Sequence, residues 1–109
     1  MVLLHTTGAK SGKERVNPLV YQRDGERIVV FGSKAGAPTH PDWFHNVRAN
    51  PEVTAEVGTD TRRFRARITE GDERERIWAK QKEEFPGFAE YEEKTDRQIP
   101  VIVLEPVDS

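Results

Sequence analysis

No cysteine occurs among the 109 residues, which excludes disulfides, thiolate nucleophiles and cysteine-ligated metal, so any redox chemistry must be borrowed from a cofactor. The same absence fits a reducing cytosol. Long apolar runs are missing too: none approaches the roughly 20 residues that a membrane-spanning helix requires. Met1 opens directly on Val2-Leu3-Leu4 without the charged leader and cleavage site of a secretory signal, and a cytoplasmic location is expected. Aromatic residues are few, at 8%, and apolar residues make up 35% against 33% charged. A chain of this length reads as one compact domain over residues 1–109 with a thin core, burying about two-thirds of the surface its unfolded form exposes. Neither an internal repeat nor a low-complexity linker interrupts it.

What the chain does contain is a pair of turns rich in Gly, Ser and Lys. Thr6 to Arg15 reads T-T-G-A-K-S-G-K-E-R, and Gly32 to Gly36 reads G-S-K-A-G. Successive small residues let backbone N–H groups converge on anionic oxygens, while Lys10, Lys13, Arg15 and Lys34 supply the charge a diphosphate or carboxylate needs. The net charge is −2, yet residues 9–34 hold six basic groups against three acidic ones. The basic excess is local, which points to a small anionic ligand rather than nucleic acid.

The pattern between and after these turns is that of a small β protein. Asp24-Gly25 is a tight hairpin turn, preceded by a mixed segment from Arg15 to Gln22 and followed by Arg27-Ile-Val-Val-Phe31. Pro41 to Ala49 carries Trp43, Phe44 and Val47 at helical spacing and stops at Asn50-Pro51. Glu52 to Val57 and Arg63 to Thr69 are strands joined by a turn over 58–61, the second placing Phe64, Ala66 and Ile68 inward and Arg63, Arg65 and Arg67 outward. A helix capped by Thr69 or Asp72 runs to about Glu84, a shorter one follows from Phe88 to Lys94, and Ile99 to Leu104 is a buried last strand. Six or so short antiparallel strands with two to three short helices make a mainly β barrel.

His40 and His45, with His5, invite a metal reading, but a separation of five is poor for two ligands on one helical face, and no further ligands are identifiable, so no metal is assigned. His40 reads as a polar group beside the ligand and His45 as a surface or dimer-face residue. The Arg63, Arg65, Arg67 row and the Glu-rich stretch from Glu70 to Glu93 read as solvated faces, with Asp72 and Arg76 as helix-surface neighbours.

Three motifs in order, T-T-G-x-K-S-G-x-x-R-x-N-P-L, then S-K-x-G-A-P-x-H-P-x-W-x-x-N-x-x-A-N-P-x-V, then Y-x-x-K-T-D-R-x-I-P-V-I-V-L-E-P, span nearly the whole chain. Together they resemble the deazaflavin (coenzyme F-420)-dependent nitroreductase family, which is commonly actinobacterial. The resemblance implies a split β-barrel of the FMN-binding type and an oxidoreductase that moves hydride from reduced F-420 to an electron-poor acceptor: a quinone, an enone or a nitroaromatic. It also implies a cytoplasmic protein, or a membrane-peripheral one if an N-terminal helical segment precedes this chain.

The resemblance assigns roles to particular residues. Lys10, Ser11 and Arg15 of the first turn and Lys34 of the second match positions that meet the phosphate and the glutamate tail. Asn17 and Pro18, with the backbone from Ser33 through Ala35 and Gly36 to Ala37, match the wall around the ring, and His40, Pro41, Trp43 and Asn46 match positions close to the cofactor. Ser33 and Tyr91 are the candidate hydrogen-bond donors to the acceptor. Phe85, Phe88 and Tyr91 match positions where family members bring tyrosines to the substrate, so one hydroxyl remains here and the pocket is more apolar. Ala9 stands where the family usually has Arg, and Ala35 where Gly is common. Two other readings stay open: an FMN-binding split barrel, to which the same cations would offer a ribityl-phosphate site, and a non-catalytic anion-binding domain. A homodimer is expected because a small barrel leaves sheet edges to cover.

Overall fold

The structure is a computed structural model that describes residues 1–107, the side chain of Ala35 excepted. Seven antiparallel strands, β1 (Val2–Thr7), β2 (Glu14–Leu19), β3 (Tyr21–Asp24), β4 (Arg27–Phe31), β5 (Glu52–Val57), β6 (Asp60–Ile68) and β7 (Val101–Pro106), form one sheet in the order β2-β1-β5-β6-β7-β4-β3. The two edge strands, β2 and β3, are consecutive in sequence and separated only by Val20. The chain therefore links opposite edges of the sheet across one residue, and the sheet curls into a half-barrel. This divides the expected mixed segment from Arg15 to Gln22 into two strands. Pro18 is tolerated within β2 because an edge strand need not donate from every position.

Alternation along the strands sorts the apolar residues into two cores. Inside the curl, Val2, Leu4, Ile28, Val30, Ala55, Phe64, Ile102 and Leu104 pack with Trp43, Phe44 and Val47 of α1 (Asp42–Ala49). On the outer face, Val29, Phe31, Val101 and Val103 of β4 and β7 pack with Ile77 and Trp78 of α2 (Gly71–Glu84) and with Phe88 and Tyr91 of α3 (Gly87–Lys94). β4 and β7 are buried on both faces, which explains why they read as unbroken β-branched and aromatic runs.

Several boundaries depart from the sequence reading. The β5–β6 hairpin is tighter than expected, pairing Val57 with Asp60 so that only Gly58 and Thr59 lie in the turn, and Gly58 takes a φ of +60°. Ile68 alternates with Phe64 and Ala66 as anticipated but lies 47% exposed at the last position of β6, three residues past Arg65, where the pairing with β5 ends. Neither Thr69 nor Asp72 caps α2. Its N-cap position is Glu70, without a side-chain cap bond, because the Thr69 hydroxyl donates instead to the carbonyl of Val101, at 2.8 Å. Asp72 lies in the first turn, where its charge suits the helix dipole, and Arg76 pairs with Asp24 rather than with Asp72. Pro41 is the N-cap of α1 rather than its first helical residue. Ile99 and Pro100 are buried but precede β7.

β1 also carries an ionic clasp. His5 bonds through Nδ1 to Glu14 of β2 and through Nε2 to Glu56 of β5, joining three neighbouring strands. Only the imidazolium can donate from both ring nitrogens, and the two carboxylates accordingly raise the His5 pKa above its ordinary 6.5. A folded-state pKa above the unfolded value means the stabilisation is complete below about pH 6.5 and fades as pH rises through the folded pKa. The expected result is a urea midpoint that falls between those two values in the parent and is flatter in His5→Gln over the same range; equal slopes would contradict the clasp.

Candidate functional site

The first turn closes on itself: the Gly8 amide donates to the Lys13 carbonyl at 2.7 Å, the Gly12 amide to the Gly8 carbonyl at 2.9 Å, and the Lys13 amide to Ser11 Oγ at 3.2 Å. Gly12 has a φ of +70°, which favours glycine, and a Cβ on Gly8 would lie 3.2 Å from the Lys13 carbonyl and displace the Ser11 hydroxyl. Asn46 of α1 fixes the turn from beside it, accepting from the Ala9 amide at 2.9 Å through Oδ1 and donating to Thr6 Oγ1 at 3.3 Å through Nδ2.

Between this turn, β2 and α1 lies a cavity of about 860 Å³ lined by Lys10, Ser11, Arg15, Asn17, Trp43, Asn46 and their neighbours. Strand register puts Arg15 and Asn17 on the face of the sheet shared with Thr6 and Leu4, and Pro18 on the opposite face with Leu3. Six of the anticipated contacts thus meet at one groove, and Pro18 does not. Trp43 is only 5% exposed, so it forms the floor of the groove while contributing to the inner core. His45 also borders the groove. Removing the side-chain brace with Asn46→Ala is expected to weaken ligand binding by about 1–2 kcal/mol, the cost of leaving the Ala9 amide unpartnered and the turn loose, as read by titration against the parent.

The second turn is a 3₁₀ turn at Lys34–Gly36, and none of Ser33, Lys34, Gly36, Ala37, His40 and Pro41 lines the cavity. It adjoins the groove through the His40 and His45 rings, whose centroids are 6.0 Å apart. The expectation at Ala35 concerns a side chain outside the described residues. Lys34 has a φ of 45°, unusual for a residue with a Cβ, and its ammonium donates to Thr39 Oγ1 at 3.4 Å. Gly36, at φ 80°, abuts α3 so closely that a Cβ would lie 3.0 Å from the Tyr91 carbonyl. Tyr91 therefore stands next to this turn and packs on the outer core with Phe88, while Phe85 is 44% exposed beside Phe88.

Arg97 belongs to the third motif, which assigns it no role; its partners are visible only in three dimensions. It donates to the carbonyls of Gly32, Ser33 and Ala37 and to His40 Nδ1, at 2.8–3.0 Å. A guanidinium has no acceptor, so Nδ1 of His40 is unprotonated. Burial lowers the His40 pKa below 6.5, and the nearby charges of Arg97, His45 and Arg48 lower it further.

The donor set fits a long ligand with an anionic tail: two cations, a hydroxyl and an amide converge on a groove within the several-hundred-Å³ range of cofactor sites. The F420H(2)-dependent quinone reductase family matches residues 1–106. The chain belongs to that family. It is an oxidoreductase of the split-barrel class whose cofactor is F-420. An F420H(2)-dependent quinone reductase of Mycobacterium tuberculosis is 38% identical over 106 residues, 94% of this chain and 71% of the relative. A solved structure described as an F420-H2 dependent reductase (FDR-A) is 46% identical, with a TM-score of 0.87 over 95% of this chain and 92% of its own. A domain-swapped dimer is also 46% identical, with a TM-score of 0.88 over 95% of this chain and 78% of its own. Two distant structures, 16% and 18% identical with TM-scores of 0.68 and 0.72, share the fold alone.

Proposed function

We propose that this reductase holds the anionic tail of F-420 against Lys10, Ser11 and Arg15 in the groove beside α1, and presents its ring to a quinone near the second turn. The observation that carries the reading is the convergence of these three side chains with Asn17, Trp43 and Asn46 on one cavity. When bound, reduced F-420 supplies the hydride, so no acid–base triad is required of the protein. The protein's tasks are to orient the reactants within contact distance and to stabilise charge that develops on the acceptor. Asn17 and the backbone of Ser33 to Ala37 border the ring, Lys34 adds a cation at the second turn, and His40 and Pro41 join the two turns. Ser33 and Tyr91 are the proposed donors to the reduced acceptor. Phe85 and Phe88 favour an apolar quinone or enone, with bulky nitroaromatics reduced more slowly.

Mixing the protein with reduced F-420 and menadione is expected to oxidise the cofactor over many turnovers. A preparation that binds F-420 but turns over no quinone, enone or nitro compound would sink the catalytic reading. Binding is expected to weaken as salt rises, since the cations are solvent-exposed. A homodimer, with the protein cytoplasmic, is part of the same proposal: β2 is a sheet edge and one relative of known structure is a domain-swapped dimer. Monomeric sedimentation at micromolar concentration would contradict it. No helix among the described residues is long and apolar enough to cross a membrane.

A further inference from the structure

Arg97, in the loop between α3 and β7, is a partly buried cation whose partners are backbone carbonyls and a neutral imidazole rather than a carboxylate. Its fork meets Gly32 O at 2.9 Å, Ser33 O at 2.8 Å and Ala37 O at 2.9 Å. A trans peptide places the N–H opposite its C=O. With the carbonyls of Gly32 and Ser33 on the guanidinium, the amides of the same two peptide groups, Ser33 N–H and Lys34 N–H, are aimed away from it. Neither amide donates to a protein acceptor among the described residues.

The backbone there has the matching form. Ser33 is right-handed, at φ −72° and ψ −38°, and Lys34 follows at φ 45°, a conformation that a Cβ disfavours. Consecutive right- and left-handed residues make a concave set of N–H groups that receives an electron-rich oxygen. The turn is closed by its own bonds, Gly36 N–H to the Ser33 carbonyl at 2.9 Å and Ala37 N–H to the Lys34 carbonyl at 3.0 Å, and the four bonds from Arg97 to Gly32, Ser33, Ala37 and His40 brace it on both sides of Lys34.

We propose that Arg97 is the positioning residue of the cofactor site, locking the second turn so that the Ser33 and Lys34 amides form a preformed donor pair for a carbonyl oxygen of the F-420 ring. The proposal rests on the F-420 reading above. Arg97 does not touch the ring; it acts through the turn. Because its charge meets no carboxylate among the described residues, it also adds positive potential beneath an oxygen that is electron-rich. Lysine cannot replace it, since one ammonium cannot span three carbonyls and an imidazole in a planar fork.

The test uses the ¹⁵N-labelled full chain titrated with oxidised F-420. The expected result in the parent is that the Ser33 and Lys34 amide resonances shift together with those of Lys10 and Ser11. Arg97→Lys is expected to raise the F-420 Kd at least tenfold and to abolish the Ser33 and Lys34 shifts. Arg97→Gln is expected to do the same while letting His40 titrate closer to its ordinary value. If Lys10 and Ser11 shift but Ser33 and Lys34 do not, the proposal fails and the cofactor reading stands; if no resonance moves, both fall. An unchanged Kd in a folded Arg97→Lys would reduce Arg97 to a loop pin. Should neither variant fold, the absence of Ser33 and Lys34 shifts in the parent would still overturn the proposal.

Discussion

Replacing Lys10 and Arg15 together by alanine is expected to lower F-420 affinity by at least about 30-fold while leaving the melting temperature nearly unchanged. Each charge-assisted contact to an anion is worth roughly 1–3 kcal/mol, and about 1.4 kcal/mol is tenfold in affinity. The two cations border one groove, so their effects need not add, and the lower end of the combined range sets the figure. Folding has little at stake, because both side chains are exposed and neither pairs with a carboxylate among the described residues. A control separates local contact from general electrostatics. Arg63 is 62% exposed, on the face of β6 outside the curl, and Arg63→Ala removes a like charge three strands away from β2. It is expected to leave affinity within about twofold at moderate salt, where exposed charges more than about 10 Å apart are screened. Equal losses in the double variant and in Arg63→Ala, measured by titration at one ionic strength, would mean that only net charge matters.

Trp78→Ala is expected to destabilise the fold by about 3–5 kcal/mol, the range for deleting a large aromatic side chain from a packed core. Trp78 is 1% exposed. It stacks obliquely on Phe31 at 5.8 Å and meets Phe88 edge-on at 6.1 Å between ring centroids. Its indole N–H donates to Glu92 at 2.6 Å, so one side chain fastens α2 to both the sheet and α3. The substitution leaves a cavity and deprives Glu92 of a donor that helps hold its pKa below the ordinary carboxylate value. Because α3 abuts the second turn at Gly36, the loss is expected to reach the site as well, so F-420 binding weakens even in the fraction that remains folded. A chemical-denaturation loss under 1 kcal/mol would show that the outer core tolerates the deletion and that α3 is anchored by other contacts.

Much of this architecture is legible along the chain because local signals and burial agree. Asp24-Gly25 marks the β3–β4 hairpin, the runs Ile28 to Phe31 and Val101 to Leu104 are apolar on both faces, and Ile77, Trp78 and Gln81 share the buried side of α2. The groove at the first turn is legible for the same reason: its glycines and cations are contiguous in sequence. Elsewhere the outcome depends on partners that no local pattern encodes. The division at Val20 arises because the two halves of one segment pair with different strands, β1 and β4. Alternation assigns Ile68 to the correct face but cannot say that the pairing with β5 ends at Arg65, three residues before it. Thr69 has the chemistry of a helix cap, yet the Val101 carbonyl brought beside it by strand pairing accepts its hydroxyl instead.

Among the site residues the division is similar. Pro18 follows Asn17 in sequence, and the period of two in a strand alone sends them to opposite faces. Asn46 shares a helix face with Trp43 and is placed at the groove, but its role in bracing the first turn depends on the Ala9 amide and on Thr6, about 40 residues earlier. Arg97 is the extreme case. It is one arginine among many charged residues, and its significance comes from carbonyls 60 or more positions away. Its sequence cues are its place in the third motif, which assigns it no role, and its position just before the buried Ile99 and Val101, where a cation must find acceptors or remain unsatisfied.

A groove that holds the F-420 tail should distinguish F-420 from FMN in a pair of parallel fluorescence titrations at low salt, one with oxidised F-420 and one with FMN. Micromolar binding of F-420 with distinctly weaker binding of FMN is the expected result. Tighter binding of FMN, or no binding of either, would contradict the assignment of Lys10, Ser11 and Arg15 to the F-420 tail.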